Sequence, residues 1–343
     1  MAKLKYYALC SKNINAAKRH LARIPKEDLV IVINTLLDTD ERWAFHNQTV
    51  AWCEAEGIEH YVTESDGTPS TGKNSVFDLF LASDNDYMVL VDGDDFITPH
   101  GLVVYDMIAQ SDNPPDAVAL EYQYGLVPNE GYHPGEAWMH LHGENVGKAN
   151  AADITNPDHI HGFGLRIFQH PYDWWQKALA GESVKVWDEF TQECSDAHQK
   201  LYTYEYNNIN GWESHLRITF YSRHGATYRF DPELLVGEDT MQYFRMKYDM
   251  SLGTFDLRHL NEIYPTYVYD QRIEGIVRFA NERDDGRGWL NWMNKLNDEF
   301  DKWDAAGKFV DVEVPSVDLP DFADDYRPDT LGLVNYPHKN PRY

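Results

Sequence analysis

The chain is poor in three features, and each shortage excludes a class of protein. It has 3 cysteines in 343 residues, and Cys10, Cys53 and Cys194 are too scattered for a disulfide framework or a zinc site. No apolar run approaches the roughly eighteen residues that a membrane-spanning helix needs. The amino terminus has no signal-peptide apolar core. These shortages predict a cytoplasmic protein of a reducing compartment with no membrane insertion.

Basic residues are also scarce, with 30 Lys and Arg against 56 Asp and Glu, which gives a formal net charge of −26. A uniformly acidic surface repels phosphate backbones, so non-specific binding of nucleic acid is disfavoured. The hydrophobic content of 43% and the aromatic content of 14% predict a folded globule rather than disorder. The composition is therefore that of a folded domain with a sizeable core.

The first part of the chain alternates between strand and helix patterns. This alternation predicts right-handed βαβ units and an α/β fold with a mostly parallel sheet. The predicted strands are Leu4–Leu9, Leu29–Leu36, Ile58–Thr63, Tyr87–Val91 and Ala117–Tyr124, and the predicted helices are Ile14–Arg23, Glu41–Glu56, Asn74–Ser83 and Val103–Gln110.

The pattern changes after residue 124, where Gly, Pro, Asn, His and Trp accumulate between turn signals. We interpret 125–215 as an elaboration over the sheet. It contains His140/His142 and His159/His161, but neither pair has further ligands at zinc-site spacing. Regular secondary-structure patterns resume after this segment, with a predicted strand at Leu216–Tyr221 and a predicted helix at Thr240–Lys247. The predicted organisation is thus 1–124, 125–215, 216–275 and 276–343, the last being a helix and an acidic arm wrapped on the body or partly free.

A short acidic segment, Asp92-Gly93-Asp94-Asp95, directly follows the apolar strand Tyr87–Val91. The carboxyl end of such a strand is where open α/β sheets bind ligands. Three close carboxylates repel one another unless a cation holds them together. Oxygen ligands favour Mg²⁺ or Mn²⁺, which usually share their coordination sphere with substrate phosphates. The segment predicts a metal–diphosphate site, and the alternative is an Asp-Gly turn with solvated aspartates.

The surroundings of this segment carry a family resemblance. The loop 67–75, the helix after it, the acidic segment and the turn 96–102 resemble the core of GT-A glycosyltransferases, most of all their large inverting (family 2-like) group. The resemblance covers about residues 4–110, with a second anchor near residue 238. It implies a GT-A fold with an acceptor-side elaboration. It also implies metal-dependent transfer of a hexosyl or pentosyl group from a nucleotide-diphosphate sugar, most often UDP-linked, to a hydroxyl.

The resemblance also implies roles for acidic residues at two places. Asp94 would be the direct Mn²⁺ or Mg²⁺ ligand, Asp92 would contact the metal or the ribose, and Asp95 would assist through water. Glu238-Asp239 matches the pair that opens a helix opposite the metal site, which implies Asp239 as the general base and an inverting outcome. The alternative is that two acids at a helix start cap the helix and complement its dipole.

In the resembled family, the ends of the first strands recognise the nucleotide. The matching positions here are Leu9, Cys10, Ser11, Asn34, Thr35, Asp38, Ser65, Asp66, Lys73, Asn74 and Asp92. The segment 34–38 lacks the family's glycine, which leaves the base open. Arg223 and His224 would reach the diphosphate or supply a further metal ligand.

The acceptor and the function class each keep alternatives. A glycan or saccharide is the usual acceptor of the resembled family. The segment 237–243 is similar to tailed-phage transferases, which makes hydroxymethylated DNA in a host cytoplasm a second acceptor. The loop 67–74 is one residue away from a Walker A motif, which would indicate a P-loop NTPase, although Pro69 and Asn74 disfavour it. A non-catalytic sugar-binding module with the aromatic-rich 125–215 as its platform is the third alternative.

Overall fold

A computed structural model of the chain describes residues 2–12, 14–21, 23–120, 124–128, 163–167, 217–260, 266–270, 287–307 and 312–319. Most of the predicted elaboration 125–215 lies outside these ranges. Its histidine pairs and its aromatic platform, with Trp138, Trp174, Trp175, Trp187 and Trp212, therefore stay predictions, as do the domain boundaries.

The described chain alternates strands and helices through its first 120 residues. The strands are β1 (Leu4–Cys10), β2 (Leu29–Asn34), β3 (Glu59–Thr63), β4 (Tyr87–Asp92), β5 (Phe96–Ile97), β6 (Ala117–Leu120), β7 (Tyr124–Pro128), β8 (Phe163–Ile167), β9 (Arg217–Ser222), β10 (Leu257–Leu260) and β11 (Tyr267–Asp270). The helices are α1 (Ile14–Leu21), α2 (Asp40–Glu56), α3 (Pro69–Ala82), α4 (Pro99–Gln110), α5 (Glu238–Ser251) and α6 (Arg287–Ala305).

The main sheet has seven described strands in the order β10-β6-β9-β4-β1-β2-β3. Six of them run parallel to one another, and β9 runs antiparallel between β4 and β6. The carboxyl ends of β1, β2, β3 and β4 therefore meet at one edge of the sheet, where parallel α/β proteins bind ligands. The predicted α/β fold with a mostly parallel sheet is confirmed.

Hydrophobic packing covers both faces of this sheet. On β1 the side chains alternate, so that Tyr7 joins one core cluster while Tyr6 and Ala8 join the other. The first cluster contains buried residues of α3, α5 and α6, such as Phe77 and Phe244. The second contains buried residues of α1, α2 and α4. Because both faces are buried there, β2, β4 and β6 are apolar without alternation, as predicted for a parallel sheet.

A second sheet of four described strands, in the order β5-β11-β7-β8, adjoins the acidic segment. The chain leaves β4 of the main sheet at Asp92 and enters β5 of the second sheet at Phe96. The strand predicted to run from Ala117 to Tyr124 is wrong at its end. The described part of β6 stops at Leu120, and Tyr124 begins β7 of the second sheet, because the chain changes sheets in between.

Helices α3 and α4 begin at least one helical turn earlier than the sequence pattern predicts. Helix α3 starts at Pro69 rather than Asn74, and α4 starts at Pro99 rather than Val103. In each case a threonine precedes the proline and its side chain accepts a backbone N–H of the first turn. Proline is favoured at the first helical position because its missing N–H would have no partner there. Each Thr-Pro pair is thus a helix start rather than a break.

Helix α5 begins against α6. Its N-cap, Gly237, has φ +72°, and a Cβ at this position would lie 2.3 Å from the ring of Trp292 on α6. Only glycine combines a left-handed backbone with so close a neighbour. The start of α5 is therefore fixed by the indole of α6.

After α6, part of the chain returns to the edge of the main sheet. The His259 N–H of β10 donates to Pro315 O at 2.8 Å, and the Val317 N–H donates to His259 O at 2.8 Å. Residues 312–319 thus lie along β10, as expected for an arm wrapped on the body. In the described ranges no helix combines the length and the apolar character needed to cross a membrane.

The packing of Gly237 generates a stability prediction. Gly237→Ala forces a left-handed alanine, at about 1–2 kcal/mol, and adds overpacking against Trp292, at about 1–3 kcal/mol. Gly57→Ala is the matched control, because Gly57 also has positive φ (+67°) but a Cβ added there would have no neighbouring atom within 4 Å. We expect urea denaturation to give the larger loss of unfolding free energy for Gly237→Ala. Equal losses would mean that the indole contact contributes nothing.

Candidate functional site

The acidic segment forms a tight turn at the end of β4. One carboxylate oxygen from each of Asp92, Asp94 and Asp95 lies within 4.8 Å of the others. The Gly93 N–H donates to Leu9 O at 2.8 Å, and a Cβ on Gly93 would lie 2.8 Å from the same oxygen. Glycine is needed here because the turn packs directly on the end of β1. Three carboxylates at this spacing fit the oxygen-rich coordination of Mg²⁺ or Mn²⁺.

Sequence reasoning did not identify Arg217, the first residue of β9, as part of this site. Its Nη2 lies 2.9 Å from Asp92 Oδ2 and its Nη1 lies 3.2 Å from Asp95 Oδ2. Because β9 is antiparallel to β4, its first residue lies beside the last residue of β4. The signal in the sequence was a charged residue at the second position of the predicted strand Leu216–Tyr221.

Tyr267 of β11 completes the support of the turn from the second sheet. Its hydroxyl donates to Asp95 Oδ2 at 2.6 Å and accepts the Asp92 N–H at 3.2 Å. The Arg217 guanidinium lies over the Tyr267 ring, 4.6 Å from its centroid. Both sheets thus hold the acidic turn.

These neighbours drive two carboxylates in opposite directions. Burial raises the pKa of Asp92, but the charges of Arg217 and Lys73 outweigh burial, so this pKa lies below its ordinary value. Burial and the charge of Asp94 hold the pKa of Asp95 well above its ordinary value, despite the nearby Arg217. Asp95 is fully buried, whereas Asp92 keeps 25% of its side chain exposed. Asp92 is therefore the more accessible and the more readily ionised acid of the two.

The second pair of acids, Glu238 and Asp239, opens helix α5 and contacts Lys73. Lys73 Nζ lies 2.9 Å from Glu238 Oε1 and 2.7 Å from Asp239 Oδ1. The Lys73 side chain is 4% exposed, that of Glu238 is 9% exposed and that of Asp239 is 33% exposed. Asp239 is thus the accessible acid of the pair.

Burial and this ion pairing have opposite effects on the pKa values of Lys73 and Glu238. Burial lowers the pKa of Lys73, but Asp239 and Glu238 outweigh burial and raise it above its ordinary value. Burial raises the pKa of Glu238 above its ordinary value even though Lys73 opposes the change. Lys73 therefore stays protonated between the two acids.

The structure brings the two acidic groups into one electrostatic environment. The charge of Asp92 contributes to the raised pKa of Lys73, and the charge of Asp239 contributes to the raised pKa of Arg217. Such effects require short separations in the protein. The acidic turn and the start of α5 therefore border the same region.

Several positions predicted to contact a nucleotide lie at this edge but have protein partners. Asn34 is buried and donates to Thr63 Oγ1 and Glu64 O, both at 2.9 Å. Cys10 is buried, and burial raises the pKa of its thiol above the ordinary value. The Asn74 side chain exchanges two hydrogen bonds with the backbone of Phe230, both at 2.9 Å. Their predicted contacts with a nucleotide stay predictions.

The remaining predicted positions differ in exposure. Asp66 accepts from the Thr68 N–H at 2.9 Å and from the Thr71 hydroxyl at 2.7 Å, and these donors outweigh burial and lower its pKa. It therefore supports the start of α3. Asp38 pairs with Arg42 at 2.8 Å. The other three positions range from open to enclosed: Ser11 is exposed, Ser65 is half-buried, and Thr35 is buried.

The prediction that Arg223 and His224 reach the diphosphate is wrong. Arg223 follows Ser222, which pairs with Tyr87 at the amino end of β4, away from the acidic turn. Its guanidinium donates to Leu81 O at 2.6 Å and to Ser83 O at 3.0 Å, at the end of α3. His224 Nδ1 lies 3.2 Å from Asp116 Oδ2. An antiparallel strand places its last residues at the opposite edge from its first.

The Walker A alternative is also wrong. A P-loop needs irregular backbone whose N–H groups face phosphate. Here the segment is already helical from Pro69, and Lys73 lies inside α3 with its amine bound to Glu238 and Asp239. No phosphate-cradling loop exists in the described segment 67–74.

No protein-family model matches the chain, and no curated protein matches its sequence. Among solved structures, the chain is similar to S. aureus TarS 1-349 in complex with UDP-GlcNAc, at 12% identity and a TM-score of 0.43, with 80% of this chain and 60% of that chain covered. The corresponding values for TarS 1-349 in complex with UDP are 11%, 0.37, 78% and 60%. The chain thus spans about 60% of the length of these TarS chains.

The buried position of Arg217 generates a second stability prediction. Arg217→Met leaves Asp92 and Asp95 without their cation, and breaking a buried ion pair costs about 3–5 kcal/mol. The control is Arg42→Met, which removes the partly exposed ion pair with Asp38, worth about 0.5 kcal/mol or less. We expect urea denaturation at neutral pH to separate the two variants by several kcal/mol. A loss for Arg217→Met as small as the control's would show that the guanidinium is not needed to hold the turn.

Proposed function

We propose that this protein is a metal-dependent glycosyltransferase that moves a sugar from a nucleotide-diphosphate donor to an acceptor hydroxyl. The observation that carries the proposal is the pairing of two acidic groups at the carboxyl edge of the sheet. One group, Asp92, Asp94 and Asp95, has the spacing of cation ligands. The other offers the partly exposed carboxylate of Asp239 beside the same region.

The acidic turn would hold the donor's cation. Asp94 and Asp92 are the proposed Mn²⁺ or Mg²⁺ ligands. Asp95 is buried and supports the turn that carries them. A bound divalent cation would neutralise the charge that develops on the leaving diphosphate. Arg217 fixes the orientation of Asp92 through its 2.9 Å contact. The donor is proposed to be UDP-linked, since the order of motifs resembles that of UDP-sugar transferases.

Asp239 would serve the acceptor. The acceptor oxygen forms a bond to the anomeric carbon, the bond from that carbon to the diphosphate oxygen breaks, and the diphosphate leaves with the electron pair. The proton of the acceptor hydroxyl passes to the Asp239 carboxylate. One direct displacement of this kind inverts the anomeric centre. The proposed acceptor is a saccharide, because a net charge of −26 disfavours a polyanionic one.

The experiment that tests the function is donor turnover by the full chain. A panel of nucleotide sugars is incubated with Mn²⁺, and release of the nucleoside diphosphate is measured with and without saccharide acceptors and hydroxymethylated DNA. Turnover that needs Mn²⁺ and is stimulated by a saccharide supports the proposal. Stimulation by hydroxymethylated DNA alone would identify DNA, and not a saccharide, as the acceptor. This stimulation should fall steeply as the salt concentration rises, because phosphate contacts are lost. Donor binding without any turnover would indicate a sugar-binding module.

Asp94 should be essential for metal-dependent donor binding. We expect Asp94→Asn to abolish Mn²⁺-dependent binding of UDP in calorimetry and to keep the wild-type melting temperature, because the substitution removes one charge and no core volume. Asp112→Asn, at an exposed acid outside the site, is the control and should bind as the wild type does. Unchanged Mn²⁺-dependent binding in Asp94→Asn would refute the metal assignment.

Asp239 should affect the chemical step far more than donor affinity. Loss of a general base lowers the rate by about 10²–10⁴-fold, so we expect Asp239→Asn to lower kcat to this extent with little change in the donor KM. Steady-state kinetics at saturating acceptor give both values. A variant with weakened donor binding and unchanged kcat would make Asp239 a helix-start residue instead.

A further inference from the structure

We propose that Lys73 is a positioning residue for the base Asp239, and not the nucleotide contact that the sequence predicted. This inference rests on the proposed function and deepens it. Lys73 lies in α3 on the donor side of the chain, and its amine reaches both acids at the start of α5, across 166 residues of sequence to Asp239. Its Nζ lies 2.7 Å from Asp239 Oδ1 and 2.9 Å from Glu238 Oε1.

The surroundings of Lys73 fix the position of its amine. The side chain is 4% exposed, and Nζ lies 5.0 Å from the centroid of the Phe230 ring. The next residue, Asn74, exchanges two hydrogen bonds with the backbone of that same phenylalanine. The lysine is thus held both near its backbone and at its amine. The amine cannot turn toward solvent without losing its contacts with both acids.

The two acids do different things with this one cation. Glu238 is 9% exposed, so it cannot stay charged without a partner and Lys73 supplies one. Asp239 is 33% exposed and could be solvated by water alone. Its contact with Lys73 is therefore not required by burial. The contact holds Oδ1 in place, so that the proton of the acceptor would be taken by Oδ2.

Helix capping does not account for the contact. The N-cap of α5 is Gly237, which has no side chain, and the two acids occupy the first turn after it. Acids in this position complement the helix dipole by their charge alone, whatever the orientation of the carboxylates. Lys73 adds a fixed orientation. A fixed orientation matters for a base, since a displacement of about 1 Å can cost about 10²-fold in rate.

The decisive variant is the double substitution Lys73→Met with Glu238→Gln, measured beside Glu238→Gln alone. The pair removes one buried cation and one buried anion together, so it leaves no unpaired buried charge and keeps similar volumes. We expect the double variant to fold, to lose about 10²-fold in kcat and to keep the donor KM within about threefold.

Two further variants keep the test independent of folding. Lys73→Arg retains the charge, and we expect it to fold and to recover most of the kcat that the double variant loses. Lys295→Met is the matched control, because Lys295 also contacts two acids, Asp231 and Glu233, but neither acid belongs to the proposed site. The control should leave kcat and the donor KM unchanged.

The outcomes separate this inference from the proposed function. Wild-type kcat in the double variant would overturn the positioning role, and a loss confined to the donor KM would restore the nucleotide contact. If the wild type turns over no donor, the proposed function fails. The contact between Lys73 and Asp239 is then tested by the carboxyl ¹³C chemical shift of Asp239 at neutral pH, which should differ between Glu238→Gln alone and the double variant. An identical shift in the two variants would overturn the contact.

Discussion

Repulsion between like charges is the constraint on which this site depends. Asp92, Asp94 and Asp95 lie within 4.8 Å of one another, and Glu238 and Asp239 border the same region. Carboxylates at such distances cannot all ionise without cations between them. The chain supplies two cations of its own. The guanidinium of β9 lies between two acids of the turn, and the amine of α3 lies between the two acids of α5.

The two cations come from elements that the sheet order brings together. Among the described strands of the main sheet, only β9 runs against the others, and it delivers an arginine to the edge at which β4 delivers its acids. Helix α3 follows β3 and its lysine contacts the start of α5, so it joins two parts of the chain that lie 166 residues apart in sequence. Tyr267 of the second sheet also contacts this site, because its hydroxyl donates to Asp95. The acidic turn is therefore held by elements that are far apart in sequence.

The parts that the sequence could predict are those governed by local patterns. Apolar runs and their spacing predicted the parallel strands, and the abrupt change from an apolar run to acids predicted the turn at Asp92. The starts of α3 and α4 were misplaced, although the Thr-Pro pairs that begin them are local signals. Arg217 and the partners of Lys73 could not be predicted, because each contact spans more than a hundred residues and no single-sequence pattern encodes it. The position of Arg223 was predicted wrongly because the direction of β9 in the sheet decides which edge this residue occupies, and no single-sequence pattern encodes that direction.

The return of residues 312–319 to β10 also bears on the resistance of the molecule to aggregation. An edge strand presents free N–H and C=O groups that can pair with another copy and begin aggregation. The backbone hydrogen bonds of His259 with Pro315 and Val317 occupy this edge on the side away from β6. A chain shortened to end after α6 would expose that row of groups. Its solubility would then fall even though the acidic turn and both of its cations remained in place.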